Sequence, residues 1–242
     1  MTTWRLITTW NASPAFNMGL DEALLESSDA APTLRFYSWK PATLSLGYFQ
    51  RVADVPAAQD ARSLVRRITG GGAIHHQHEL TFSIAVALDH PLYRGTTAES
   101  YERVHGAIAS ALRRFGVAPE LRGARELASE RAGTGMCFHR SSELDLVWND
   151  RKGVGSAQRR KRGRVLHHGS IKLGTTPLEG DIATLEGVAR GTTPESFAPA
   201  LREAFESELG LEFEAGVPDA LERARAQELG KRFVDPAFVR RR

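Results

Sequence analysis

The chain has 242 residues, 41% of them hydrophobic and 25% charged, with a net charge of +3 and a pI near 9.2. A chain of this length buries a substantial core, in one large domain or one domain with a small appendage. The composition excludes a disordered chain, no apolar run approaches a membrane span, and the single cysteine, Cys137, cannot form an intramolecular disulfide.

The first residues lack the basic-then-apolar layout of a signal peptide, so a cytoplasmic protein is expected. Much of the positive charge is local, at Arg159-Arg160-Lys161-Arg162 with Arg164 and at Arg240-Arg241-Arg242. Nucleic acid is one reading of such patches and an acidic protein another; the aromatic-interleaved basic motifs of RNA modules are absent, the C-terminal tail reads as a solvated face, and neither nucleic acid nor membrane is expected as a partner.

In chain order, Trp4 to Thr8 is a predicted strand. Ser13-Pro14 opens a helix with Phe16, Leu20, Ala23 and Leu24 on one face, and Pro32 ends that region. Thr33 to Trp39 and Ala42 to Phe49 read as a hairpin around Lys40-Pro41, with Gly47 marking a close backbone approach and Tyr48 to Arg51 near any site. Val55 to Arg62 is weakly helical. Leu64 to Ile68 and Leu80 to Val86 read as a second pair of strands around Gly70-Gly71-Gly72. Alternation then puts His76 and His78 on one face and His75 on the other. Thr97 to Phe115 is a helix stopped by Gly116, and Glu120 to Gly135 is a long polar loop.

Glu143 to Trp148, Val154 to Arg159 and Arg164 to Leu173 are predicted strands, with Asn149-Asp150 as the first turn and Lys152 in a tight turn just after it. Ile182 to Val188, Pro194 to Leu209 and Ala220 to Phe233 are helical, and Phe213 is a short edge strand. Paired strands with interspersed helices predict an α+β fold, and no dinucleotide-binding or Walker loop occurs.

Three features carry candidate chemistry. Gly70-Gly71-Gly72 fits a plain turn, or a wall that something bulky approaches. Cys137, beside His139 and Arg140, fits an inert packed side chain or a thiolate nucleophile for thioester exchange. Lys152, one of five lysines in an arginine-rich chain, fits an ordinary hairpin lysine or a point charge that holds a carbonyl oxygen. The histidines match no zinc signature, so no metal is expected, and no Gly-x-Ser-x-Gly elbow supports a serine triad.

Arg66-Arg67-Ile68-Thr69-Gly70-Gly71-Gly72-Ala73-Ile74-His75-His76 resembles the signature of the lipoate–protein ligase and octanoyltransferase superfamily. Asn17 to Ala23, Leu34 to Gln50, and Arg151-Lys152-Gly153-Val154-Gly155-Ser156-Ala157-Gln158-Arg159 with His167-His168-Gly169-Ser170 resemble it in the same order, to about Leu173. The resemblance implies a single biotin/lipoate-ligase (class II synthetase-like) catalytic domain over 1–242, with its core in 1–175 and a helical part in 176–242. Its sheet is expected to be mixed and largely antiparallel.

The implied activity attaches an octanoyl or lipoyl group to a lysine of a small acidic lipoyl domain. Arg66, Arg67, Gly70, Gly71, Gly72, Ala73, His76, Gly155, Ser156, Ala157, His168 and Gly169 are the implied substrate-binding residues, and Lys152 the contact to the acyl carbonyl. Cys137-Phe138 and the short His76 to Ser83 spacing resemble the cysteine-dependent octanoyltransferases. That branch takes the acyl group from an acyl carrier protein or a glycine-cleavage H-type protein through a Cys137 thioester, with no cofactor. Lys152 and backbone N–H groups would stabilise the oxyanion, His76 is the candidate base for the acceptor lysine, and Leu46 and Val154 are expected along the acyl tunnel.

Gly72 stands where that branch often carries arginine and is more ligase-like, which leaves an ATP- and Mg-dependent lipoate–protein ligase as the alternative. A non-catalytic module that binds acyl carrier or lipoyl domains is the second alternative. The glycine-arginine-glycine loop of biotin ligases is missing.

Overall fold

The computed structural model describes residues 3–27 and 30–241. Arg242, part of the basic tail, lies outside them. Among the described residues, eleven strands form two sheets. In chain order they are β1 (Trp4–Ala12), β2 (Thr33–Trp39), β3 (Thr43–Leu46), β4 (Leu64–Arg66), β5 (Ile74–His76) and β6 (Glu79–Ala87), then β7 (Glu120–Leu121), β8 (Leu146–Trp148), β9 (Arg151–Lys161), β10 (Arg164–Lys172) and β11 (Phe213–Gly216). The large sheet runs β11-β1-β2-β6-β10-β9-β8-β7, and the small one β4-β3-β5. In the large sheet only β11 and β2 run parallel to β1; the other pairs are antiparallel, giving the mixed sheet expected.

Local chemistry sets the helices. Ser13 caps α1 (Pro14–Glu26) by accepting from the Phe16 amide, with proline in the first turn. A four-residue α2 (Ala57–Asp60) precedes β4. Thr96 and Glu99 close a capping box on α3 (Thr97–Arg113), and Gly116 turns the chain after it at φ +80°. Phe36 and Phe82 on one sheet face pack with Ile108 and Leu112 of α3 and Phe205 of α4 (Pro194–Leu209). Each such side chain, fully buried, contributes about 1.5–3 kcal/mol. On the other face, Leu20 and Leu24 of α1 pack with Ala85 and with Ala226 of α5 (Ala220–Val234), and a short α6 (Pro236–Val239) follows.

The pairing of the central strands departs from the sequence reading. Thr33–Trp39 and the next strand are no hairpin: β2 has β1 on one edge and β6 on the other, so no edge is left for β3. The chain crosses at Lys40-Pro41 to the small sheet, where β3 lies between β4 and β5. The strands on either side of the glycines do not pair either, since β4 joins the small sheet and β6 the large one. His78 sits in a turn at φ +50°, which breaks the expected alternation with His76. Lys152 lies inside β9 and not in a turn, because Asn149 and Asp150, both at positive φ, complete the reversal. The helix expected over Ile182 to Val188 is a short 3-10 turn, Leu185–Gly187.

The candidate active site

The site forms where the two sheets meet. The glycine loop leaves β4, and the long loop after β7 brings Cys137 against it. The Ala73 amide donates to the Gly135 carbonyl at 2.8 Å and the Cys137 amide to the Ala73 carbonyl at 2.7 Å, so the two loops are laced backbone to backbone. A Cβ on Gly72 would lie 2.7 Å from the Cys137 nitrogen, so in this chain the two loops approach more closely than a side chain at that position would let them. A Cβ on Gly47 would meet the Gly71 carbonyl oxygen at 1.9 Å, the close approach expected of that position. Gln50 ties the assembly together, accepting from the Gly47 amide and donating to the Gly135 carbonyl at 2.8 Å.

Lys152 projects from β9 onto this loop. Its Nζ lies 3.4 Å from Cys137 Sγ, donates to the Cys137 carbonyl at 3.1 Å, and pairs with Asp145 at 2.7 Å. Burial alone would depress the Lys152 pKa, but the Cys137 sulfur and the Asp145 carboxylate outweigh it and hold the value above the usual lysine range. Lys152 is therefore a buried ammonium with its charge directed at the sulfur.

His139 supplies no charge. Its ring bridges Thr134 and the Glu179 carbonyl, and burial lowers its pKa. The Cys137 amide, committed to Ala73, is not free to act as an oxyanion donor.

Beneath Cys137 lies a narrow, mostly apolar cleft. Arg67, Gly70, Gly71, His76, Gly155, Ser156, Ala157, His168 and Gly169 all line it together with Cys137. Its apolar wall, Met18, Tyr37, Trp39 and Ile74, was not singled out from the sequence. Cys137 and Ser156 also face a wider open groove that Gly72, Asp145 and Lys152 line. The sulfur thus stands between a narrow apolar cleft and a wider groove.

Four expected positions fall elsewhere. Arg66 points away from the cleft and donates to the carbonyls of Val239, Gly47 and Gln50, clasping α6 to the loop after β3. Ala73 contributes backbone, its methyl packing with Leu46, Val55 and Met136. Leu46 belongs to that same cluster, and Val154 to the main core under α3, so neither borders the cleft.

His76 has both ring nitrogens engaged. Nδ1 donates to Glu79 at 2.6 Å, Nε2 faces Ser45 Oγ at 2.7 Å, and the ring stacks on Trp39 at 4.0 Å. Burial lowers its pKa. It forms a neutral wall rather than a base directed at the sulfur.

Two buried polar networks fix the cleft walls. Glu79 holds His76 and Lys172, and Lys172 also pairs with Glu179 at 2.7 Å. Asp21 binds Arg35 at 2.9 Å, Tyr37 at 2.9 Å and His168 at 3.1 Å, and His168 reaches Thr69 at 2.6 Å. Arg67 donates to the Gly70 and Gly72 carbonyls and to Ser45, holding the glycine loop in shape. Removing one partner from such a network strands a buried charge, at a cost of about 3–5 kcal/mol. Asp145 was missed from sequence; its signal is a carboxylate flanked by Leu144 and Leu146, which needs a cation when buried.

A mixed sheet of this order, with a glycine-walled cleft between its two parts, defines a catalytic domain of the biotin/lipoate-ligase, class II synthetase-like fold. The chain belongs to the family described as the lipoyl protein ligase A/B catalytic domain, whose model matches residues 13–203. It is 41% identical over 226 residues to the octanoyltransferase LipM of Moorella thermoacetica, covering 89% of this chain and 82% of that one. It is 35% identical over 268 residues to that of Kyrpidia tusciae, covering 97% of each. A putative lipoate protein ligase from T. acidophilum, solved with bound lipoic acid, shares the fold over the whole of both chains, with a TM-score of 0.80 at 21% identity.

Proposed function

We propose that the protein is an octanoyltransferase that takes the acyl group from a carrier thioester and passes it, through a thioester on Cys137, to a lysine of a lipoyl domain. The observation that carries this reading is the Lys152 ammonium 3.4 Å from Cys137 Sγ, at the junction of an apolar cleft and an open groove.

In the first step Cys137, as thiolate, attacks the acyl carbonyl; a new C–S bond forms, and the carrier leaves as a thiolate that takes a proton from solvent. In the second, the acceptor lysine attacks as its free amine, the amide forms, a proton passes to solvent, and the Cys137 thiolate is regenerated. Lys152 faces the negative charge that develops on the carbonyl oxygen in both steps, and Asp145 holds it there. Each buried CH₂ of the chain contributes about 0.8 kcal/mol in the cleft.

Thioester exchange needs no cofactor. The ATP- and Mg-dependent ligase reading rests on Gly72 and on likeness of fold, such as to a lipoate-protein ligase A solved with bound ATP at 21% identity. The donor is an acyl carrier protein, which presents a thioester, or an H-type protein, whose lysine amine would then take the place of the carrier thiolate as the leaving group.

We read 1–242 as one catalytic domain, because β11 pairs with β1 and Arg66 clasps Val239, tying the part after residue 175 to the core. Among the described residues no helix is long and apolar enough to cross a membrane. We place the activity in the cytoplasm, where the lone thiol stays reduced.

The test is transfer from an octanoyl carrier to a lipoyl domain without ATP. The wild type is expected to form the amide and Cys137→Ser to lose it; transfer that requires ATP, or that survives in Cys137→Ser, overturns the reading.

A further inference from the structure

The turn after β3 places an aromatic side chain where the open approach to Cys137 begins. Phe49 is 63% exposed, the one large aromatic among the exposed apolar side chains of the described residues. It is held at the lip of the cleft: its ring comes within 3.9 Å of where a Cβ on Gly70 would stand, and its neighbour Gln50 lines the groove beside Cys137. The Tyr48 ring meets it edge-on at 5.0 Å.

Tyr48 in turn is faced by two guanidinium groups, Arg241 at 4.0 Å and Arg159 at 5.5 Å from its centroid. Arg159 stands on the same face of β9 as Ala157, a cleft residue, one pleat further out. Arg51, two residues after Phe49 in the same turn region, is exposed. An exposed aromatic framed by arginines has the make-up of an interface centre, where aromatic anchors and arginine dominate the energy.

We propose that Phe49, framed by Arg51, Arg159 and Arg241, is the surface on which the lysine-bearing acceptor domain docks through an acidic face. This rests on the transferase reading above. The arginines set the sign of the partner's charge. The choice of acceptor over donor follows from reach. A lysine amine extends on a four-carbon stem, so the acceptor must sit at the lip for its nitrogen to meet the Cys137 thioester. A carrier that presents its thioester on a long prosthetic arm can stand further off.

The experiment separates the two half-reactions. Cys137 is first acylated with a small octanoyl thioester, then mixed with a lipoyl domain over a range of concentrations. Phe49→Ala and Arg159→Glu are expected to acylate at the wild-type rate but to raise the KM for the lipoyl domain at least tenfold, with kcat within about twofold. Arg159→Glu should also flatten the salt dependence of KM.

A KM within twofold of wild type in both variants overturns the proposal. So does a defect confined to acylation by the carrier protein, which would assign the patch to the donor, or a loss of acylation by the small thioester, which would make Phe49 part of the acyl site. A wild type that never acylates on Cys137 refutes the transferase reading instead.

Discussion

Replacing Gly72 with alanine asks whether the glycine loop is what places the nucleophile. The added Cβ would stand 2.7 Å from the Cys137 nitrogen, 2.8 Å from its Cα and 3.0 Å from the Gly135 carbonyl oxygen. Carbon contacts are at their best near 3.5–4.0 Å, so close to 1 Å of room must be found, roughly the radius of a small atom. All three atoms are backbone, in a loop fastened through Ala73, so the loop has to move as a unit and carry the sulfur away from Lys152.

Overpacking of this kind costs about 1–3 kcal/mol. A shift of ~1 Å at a reacting atom can cost on the order of 10²-fold in rate. Gly72→Ala is therefore expected to melt several degrees lower and to acylate Cys137 about 10²-fold more slowly, read by single-turnover intact mass. Gly70→Ala is the stability control: a Cβ there meets only Phe49 Cδ2 at 3.9 Å, an ordinary contact, so the melting temperature should hold. Wild-type melting and acylation in Gly72→Ala would refute the reasoning.

Asp145→Asn removes the carboxylate 2.7 Å from the buried Lys152 ammonium; it is expected to lose about 3–5 kcal/mol in urea denaturation and to slow Cys137 acylation at least tenfold. Lys152→Met takes away the group facing the developing oxyanion, and a loss of about 10²–10³ in the single-turnover rate is expected. Stability should fall as the pH drops from 6.5 to 4.5. Burial holds His105 of α3 and His167 of β10 below the usual imidazole range, so the unfolded chain binds protons there that the folded chain does not. Each such histidine contributes up to about 1.4 kcal/mol per pH unit. Burial would raise the carboxyls of Asp21 and Glu79, but His168 and Arg35 hold the first low and Lys172 and His76 the second, so both add to acid loss only below that window. Urea midpoints that stay flat from pH 6.5 to 4.5 would contradict this.

The parts of the site legible in the sequence were those carried by short local patterns. Gly70-Gly71-Gly72, Cys137-Phe138 and the run around Lys152 each keep their chemistry within a few residues, and the fold brings them together. Strand partners were not legible, because an alternating run such as Thr33–Trp39 looks the same whether it has one neighbour or two. Arg66 and Arg67 are alike in sequence, yet adjacent residues of an extended chain point to opposite sides, and only Arg67 faces the cleft. His76 looked like a base until Glu79 and Ser45, the latter 31 residues away, took its two nitrogens. Pairings across such separations, like that of Asp21 with His168, are set by the closed fold and leave only a faint mark on either segment alone.

The central claim is that the acyl group passes through the Cys137 sulfur. Brief exposure of the wild type to an octanoyl carrier thioester, with neither ATP nor acceptor present, followed by intact mass and peptide mapping, tests it most directly. One octanoyl group per chain, on Cys137 and released by hydroxylamine, is the result the account predicts. An unmodified Cys137 in a preparation that still octanoylates lipoyl domains would contradict it.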